Sequence, residues 1–549
     1  MVIIMNIDNK LQKQDTKVNP ITRLDYPDPD VIRIDDTYYM ISTTMHFMPG
    51  GEILRSYDLI NWEHAAFVYN CLDSTDGQRL EGAENIYGKG MWAASLRFHR
   101  GVFYVCFVAN DTGKTYLYMS ESIAGPWKKH HIEGFYHDCS LLFDGDNVYI
   151  AYGNKNIYIT QLNKELTAPL KGGLHRLAVS DAGHPGLGYE GTHFYKVNGK
   201  YYLFFIHSLR DRWMRTEACF VADSIDGTFT GGDILIDDRG YCGQGVAQGG
   251  IVDTPDGKWY AVLFQDYGAV GRIPVLVPVT WEAGYPVFGK DKRVPRQFEV
   301  PCGKESYRYK PLVQSDDFRR ESGLLEEKER ELYGCYGLKS VWQFNHEPNM
   351  QLITQDIENG VLWVETGKRC QSLLQAANVL TQRMLFPRCA GEVTVDAAAL
   401  KVGDYAGICA LQGCYGMVAV TRRDDGFYLV MKSKIAEEDS LRASSEENIE
   451  EKEWEAVPIK QSTVRLRLEV DFTQMKDEAR FFYYDYGNDN NAQNHDWDSG
   501  TWRPIGIAQK LYFKLDHFAG CRFGLFAYAT EQVGGRAGFS KFCYHKVYM

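Results

Sequence analysis

The chain has 549 residues, 44% hydrophobic and 24% charged, too many for one ordinary core and typical of a globular protein of two or more domains. A net charge of −12 excludes nucleic acid as the main partner, because phosphate binding needs a basic surface. No stretch approaches the ~18 apolar residues of a membrane span, and Met1 to Asp8 has no basic segment or long apolar run of the kind that directs secretion. Thirteen scattered cysteines, without a Cys-x-x-Cys pair, read as reduced core residues of a cytoplasmic protein, with no zinc-ligand spacing among them.

Strand signals dominate from the start. A turn followed by a strand with adjacent aromatic or β-branched residues recurs at Asp35-Asp36-Thr37-Tyr38-Tyr39, Arg100-Gly101-Val102-Phe103-Tyr104 and Gly145-Asp146-Asn147-Val148-Tyr149. It returns at Asn198-Gly199-Lys200-Tyr201-Tyr202 and Asp256-Gly257-Lys258-Trp259-Tyr260. A second turn ending in an aromatic follows in several units, as in Asp58-Leu59-Ile60-Asn61-Trp62 and Ala124-Gly125-Pro126-Trp127. Five such units predict a five-bladed β-propeller over residues 15–305, preferred over a flat multi-hairpin sandwich.

The pattern changes near residue 305. Residues 301–317 read as a linker, and residues 323–333 are the best helical candidate, short and charged. Strands such as Val361-Leu362-Trp363-Val364 and Val464-Arg465-Leu466-Arg467-Leu468 then predict a β-sandwich over residues 315–549. The acidic stretch 436–455 reads as a loop, and the aromatic, then Gly-rich stretch 526–535 reads as a sandwich hairpin ahead of a loop reaching across toward the propeller.

Three acids stand at equivalent places in this repeat: Asp28 in Tyr26-Pro27-Asp28-Pro29-Asp30, Asp138 in His137-Asp138-Cys139-Ser140, and Glu190 in Tyr189-Glu190-Gly191-Thr192-His193. Each precedes a hairpin. Each alone reads more simply as a turn or loop-capping residue. On the equivalent ends of three blades they converge on the axis, and two converging carboxyls in different protonation states are what glycoside hydrolysis needs.

Here the chain resembles glycoside hydrolase family 43. The resemblance rests on the three acidic motifs in order, with Met91-Trp92-Ala93-Ala94-Ser95, Gln248-Gly249-Gly250-Ile251-Val252-Asp253 and Gly271-Arg272-Ile273-Pro274. Trp342-Gln343-Phe344-Asn345-His346 is similar to the opening of the concanavalin-like sandwich that many members append. The resemblance implies an inverting, exo-acting α-L-arabinofuranosidase or β-D-xylosidase acting on arabinoxylan- or arabinan-derived oligosaccharides. A non-catalytic sugar-binding propeller is the alternative. The resemblance makes Asp28 the general base, Glu190 the general acid and Asp138 the carboxylate that raises and holds the acid. It makes Arg272 a sugar-hydroxyl anchor and puts Trp92, Met45 and His193 in the sugar-binding wall, Met45 replacing a pocket Phe of xylosidase members. No cofactor is required. A structural Ca2+ at the propeller core is left open, but Gln248 stands where family members carry a His that can bind a central cation.

Overall fold

The computed structural model describes residues 18–320, 336–435, 450–486, 500–511, 513–515 and 517–546. Five four-stranded antiparallel sheets, each with its strands in sequence order, form the blades of a β-propeller. Their first strands are Asp30–Ile34, Met91–His99, Ser140–Asp144, Glu190–Val197 and Val246–Asp253, and these pack in a closed ring around the axis. Arg100-Gly101 and Asn198-Gly199 make two-residue hairpin turns with positive φ at both positions (50° and 83°, 49° and 81°). That is the turn whose twist matches paired strands, and it is why the repeat is legible.

The ring is stitched at its centre by polar groups. Asp30 Oδ2 accepts from the Leu96 amide at 2.8 Å and pairs with Arg97 Nη1 at 2.6 Å. Arg97 Nη2 donates to Ser140 Oγ at 2.6 Å, which also accepts from the Phe194 amide at 3.0 Å. The Ile251 amide reaches Tyr195 Oη at 3.2 Å. One polar chain therefore crosses all five blades, and its buried charges are paired, as burial requires. The N-terminal segment closes the ring from outside. It lies along Arg272–Glu282 of blade five, with Tyr26 N to Arg272 O at 2.9 Å and Asn19 Nδ2 to Leu276 O at 2.7 Å.

A seven-stranded and an eight-stranded sheet form the second domain. Strand Arg522–Ala529 is central in the first, and Arg536–Lys546 in the second. The turn between them decides the two readings of residues 526–535 in favour of the sandwich hairpin. The Thr530 amide bonds Gly403 O at 3.0 Å and Lys401 Nζ bonds Val533 O at 2.6 Å, so this hairpin stays within the sandwich. Part of the predicted acidic loop is also a strand. Lys452–Ile459 pairs with Gly426–Lys434 at a sheet edge, where exposed charges protect against further pairing. The helical candidate at 323–333, and residues 436–449, lie outside the described residues.

The two domains share a buried seam. Arg383 pairs with Glu52 at 2.6 Å and covers the Tyr26 ring at 4.2 Å, and Arg522 covers the Phe47 ring at 3.4 Å. Asp25 accepts both the Gly520 amide (2.7 Å) and the Arg272 amide (2.8 Å), tying a sandwich loop to the start of the blade-five strand. The segment read as a linker is pinned too. Tyr309 Oη accepts from the Tyr57 amide at 2.9 Å, and Asp316 exchanges two backbone bonds of 2.8 Å with Phe542.

Candidate active site

The first strands of the blades all begin at one end of the propeller, and their irregularities aim side chains into one cavity there. The pairing slips by a bulge between Met91 and Ala94, between Glu190 and His193, and between Ala247 and Gly249. A bulge re-aims the residues it contains, here Trp92 and Gln248, and Glu190 flanks the bulge at Gly191 and Thr192. Asp28 and Asp138 sit just before their strands with φ of 51° and 48°. Positive φ is uncommon away from glycine, and aspartate tolerates it better than most residues. Pro29 also bars the right-handed helical region for Asp28.

The cavity has a volume of about 270 Å³, and its walls include Asp28, Asp138, Glu190, Trp92 and Arg272. Asp28 is buried, with Oδ1 held by Arg272 Nη1 at 2.6 Å and Oδ2 accepting from Thr43 Oγ1 at 2.7 Å. Glu190 Oε2 accepts from Asn154 Nδ2 at 2.6 Å, and its side chain is 20% exposed. Asp138 is buried and accepts the Gly191 amide at 3.0 Å. His137 stands over both, its Nε2 at 3.6 Å from Asp138 and 3.9 Å from Glu190.

The electrostatics separate these groups. Burial, with the charges of Glu190 and Asp28, pushes Asp138 up to about 6 despite His137 and the Gly191 amide. Burial works against a charged His137, but Asp138 and Glu190 outweigh it and raise the ring to about 9. Ligand atoms of His137, Asp138 and Glu190 lie within 4.8 Å of one another. Asp138 lies deeper in the wall than Glu190.

Two arginines share Asp266 at the base of the cavity. Arg215 Nε lies 2.7 Å from Asp266 Oδ2 and Arg272 Nε 3.5 Å from Oδ1. The Arg272 guanidinium is sandwiched between Phe264 (4.6 Å) and Phe518 (3.8 Å). Phe518 comes from the second domain, as does Leu515 at the mouth, so a sandwich loop completes the wall. Phe518 also meets Trp92 edge-on at 5.5 Å.

Two expected wall residues lie outside the cavity lining. Met45 is fully buried, packed with Phe47, Phe518 and Ala519 behind Trp92. Its φ of 48° and its two backbone bonds to Met91 turn it into the core. His193 lies deeper on the axis, its Nδ1 3.1 Å from Gly191 O and Nε2 3.7 Å from Asp30. Gln248 occupies the cavity floor and packs against Gly191, where an added Cβ would come within 2.5 Å of it. Among the described residues, no converging set of three His, Cys, Asp or Glu side chains includes the axial Asp30 or His193.

The sequence reading missed His137, Asn154, Arg215, Trp213 and Phe518. His137 had a signal in its place beside Asp138. Phe518 had none, because its position depends on how the domains dock.

A propeller carrying buried carboxyls, paired arginines and aromatic walls at one end, completed by a β-sandwich, is the architecture of a propeller glycosidase. The family model for glycosyl hydrolases family 43 matches residues 18–286, and that for the beta xylosidase C-terminal concanavalin A-like domain matches residues 336–545. The chain belongs to glycosyl hydrolases family 43. It is 28% identical over 316 residues to a beta-xylosidase of Formosa agariphila, covering 51% of this chain and 52% of that protein. It is 27% identical over 334 residues to a non-reducing end alpha-L-arabinofuranosidase of Bacteroides ovatus, covering 56% of this chain and 60% of that one. The chain thus spans little more than half of each of these relatives. A solved bifunctional GH43-CE structure from Bacteroides eggerthii superposes with a TM-score of 0.83 at 39% identity, covering 96% of this chain and 64% of that one.

Proposed function

We propose that this chain is an inverting, exo-acting glycoside hydrolase that releases terminal α-L-arabinofuranosyl or β-D-xylosyl residues from arabinoxylan- or arabinan-derived oligosaccharides. The observation that carries the reading is the meeting of three carboxyls in unlike surroundings around one small cavity. Asp28, fixed between Arg272 and Thr43, has one oxygen on each partner and is the general base that takes a proton from the attacking water. Glu190 is the most exposed of the three and is oriented by Asn154, which suits the acid that must touch the glycosidic oxygen. Asp138 and His137 act through Glu190 as positioning residues, holding charge and proton beside it.

Arg272 and Arg215 supply fixed donors for sugar hydroxyls. A volume of about 270 Å³ lies at the small end of ligand pockets, and the sandwich loop walls one side, which favours one terminal sugar over an internal chain segment. The similarity to a beta-xylosidase and to an alpha-L-arabinofuranosidase supports both sugars. A non-catalytic sugar binder has no use for an acid, a base and a modulator together and is not favoured. The test is release of p-nitrophenol from arabinofuranosyl and xylosyl glycosides by the purified chain. Turnover of either supports the proposal; turnover of neither, by a folded chain, refutes it.

A further inference from the structure

A second group of ligating side chains lies beside the cavity and takes no part in its chemistry. Asp181 and His184 stand on the loop that runs from His175–Ser180 of blade three to Glu190, and His207 stands near the end of Lys200–Ser208 in blade four. One ligand atom from each lies within 4.8 Å of the others. His184 and His207 are only 4% and 6% exposed. His184 Nε2 and His207 Nδ1 are buried and have no hydrogen-bond partner among the described residues. Orphaned buried nitrogens are rare and call for a cause.

His207 is prepared for ligation. Its Nε2 lies 2.8 Å from Asp233 Oδ1, so the proton sits on Nε2 and the Nδ1 lone pair faces the group. A carboxylate behind a histidine is the usual support of a metal-binding ring. Asp181 supplies an oxygen and is kept in place by Arg210 at 3.2 Å. His184 is less prepared, since its Nδ1 accepts the Gly186 amide at 3.0 Å. Ligation through Nε2 moves the ring proton to Nδ1 and forfeits that bond, a cost of roughly tenfold in affinity.

We propose that Asp181, His184 and His207 bind one divalent cation of the zinc type, with water completing the shell. Two imidazoles and one carboxylate suit zinc, and alkaline-earth ions prefer all-oxygen sites. Asp-x-x-His with its third ligand 23 residues on from His184 matches no Cys/His spacing, so no metal motif is legible in it. The ion joins the loop that carries Leu187 and ends at Glu190 to the strand Lys200–Ser208, which leads into the turn that carries Trp213, and Leu187, Glu190 and Trp213 form one side of the cavity. It acts as a clamp on that wall and does not take part in bond cleavage.

The full chain, stripped with a chelator, is titrated with Zn2+ and then with Co2+. One equivalent should bind at micromolar free Zn2+ and raise Tm, and Co2+ should show visible d–d absorption. His207→Gln and His184→Gln should each weaken binding at least tenfold and abolish the Tm rise. If either fails to fold, Asp181→Asn, checked by circular dichroism, should weaken binding in the same direction. Zn2+ binding unchanged in these variants would place the ion elsewhere, for example on His137, Asp138 and Glu190, and would overturn the proposal. Absence of a bound equivalent at micromolar Zn2+ would overturn it as well.

Discussion

Phe518→Leu isolates what the second domain contributes to the cavity. The Phe518 ring faces the Arg272 guanidinium at 3.8 Å and is almost wholly buried. Leucine keeps most of the apolar cover and removes the ring's quadrupole. A desolvated cation–π contact of this kind contributes about 1–2 kcal/mol. Arg272 in turn fixes Asp28 at 2.6 Å, so looseness in the guanidinium passes to the carboxylate proposed as the base. If the lost energy falls on the transition state, kcat/KM should drop about 5- to 30-fold. The stability cost should be modest for this exchange of one large apolar residue for another, and Phe518→Ala should cost about 3–5 kcal/mol through the cavity it leaves. The assay is kcat/KM on an aryl glycoside together with a melting curve for wild type and both variants. A Phe518→Leu enzyme with unchanged kcat/KM would refute the claim that the sandwich tunes the site through Arg272.

Other outcomes follow from the same geometry. Asp28→Ala should nearly abolish turnover of every substrate, whereas Glu190→Ala should hurt alkyl glycosides far more than activated aryl glycosides, which need little protonation; equal losses on both would remove Glu190 as the acid. A truncation ending near residue 310 should be insoluble or lose most activity, because it exposes the Arg383–Glu52 seam and removes Phe518; a soluble, fully active propeller would contradict this. His137 is raised from 6.5 to about 9 in the fold, so its contribution to stability is fully present below about 6.5 and is lost as pH rises through 9. Melting temperature should therefore fall between pH 7 and 9.5, and His137→Gln should flatten that slope; an identical slope in the variant would count against the His137–Asp138–Glu190 cluster.

The blades were legible because their turn chemistry repeats. Arg100-Gly101 and Asn198-Gly199 force one hairpin type, and an alternating aromatic strand follows each. The three acids were legible because a propeller turns equivalent sequence positions into neighbours in space. Met45 was misjudged because its positive φ reverses where a side chain in that motif points, and no residue pattern announces that reversal. The strand Lys452–Ile459 was hidden by its charges, which an edge strand tolerates and a sequence pattern reads as loop. The wall from Phe518 and Leu515 was illegible for a different reason. It follows from the docking of two domains through Asp25, Arg383 and Arg522, contacts between residues hundreds of positions apart.

The central claim is that Asp28 activates water on one face of the sugar while Glu190 protonates the leaving oxygen on the other. An inverting pair of this kind needs its carboxyls roughly 6.5–9.5 Å apart, with room for that water. Proton NMR of the first sugar released, recorded before mutarotation, tests it directly. The anomeric signal should first appear in the configuration opposite to that of the substrate. A first-formed sugar that retains the substrate's configuration would contradict the assignment of Asp28 as base.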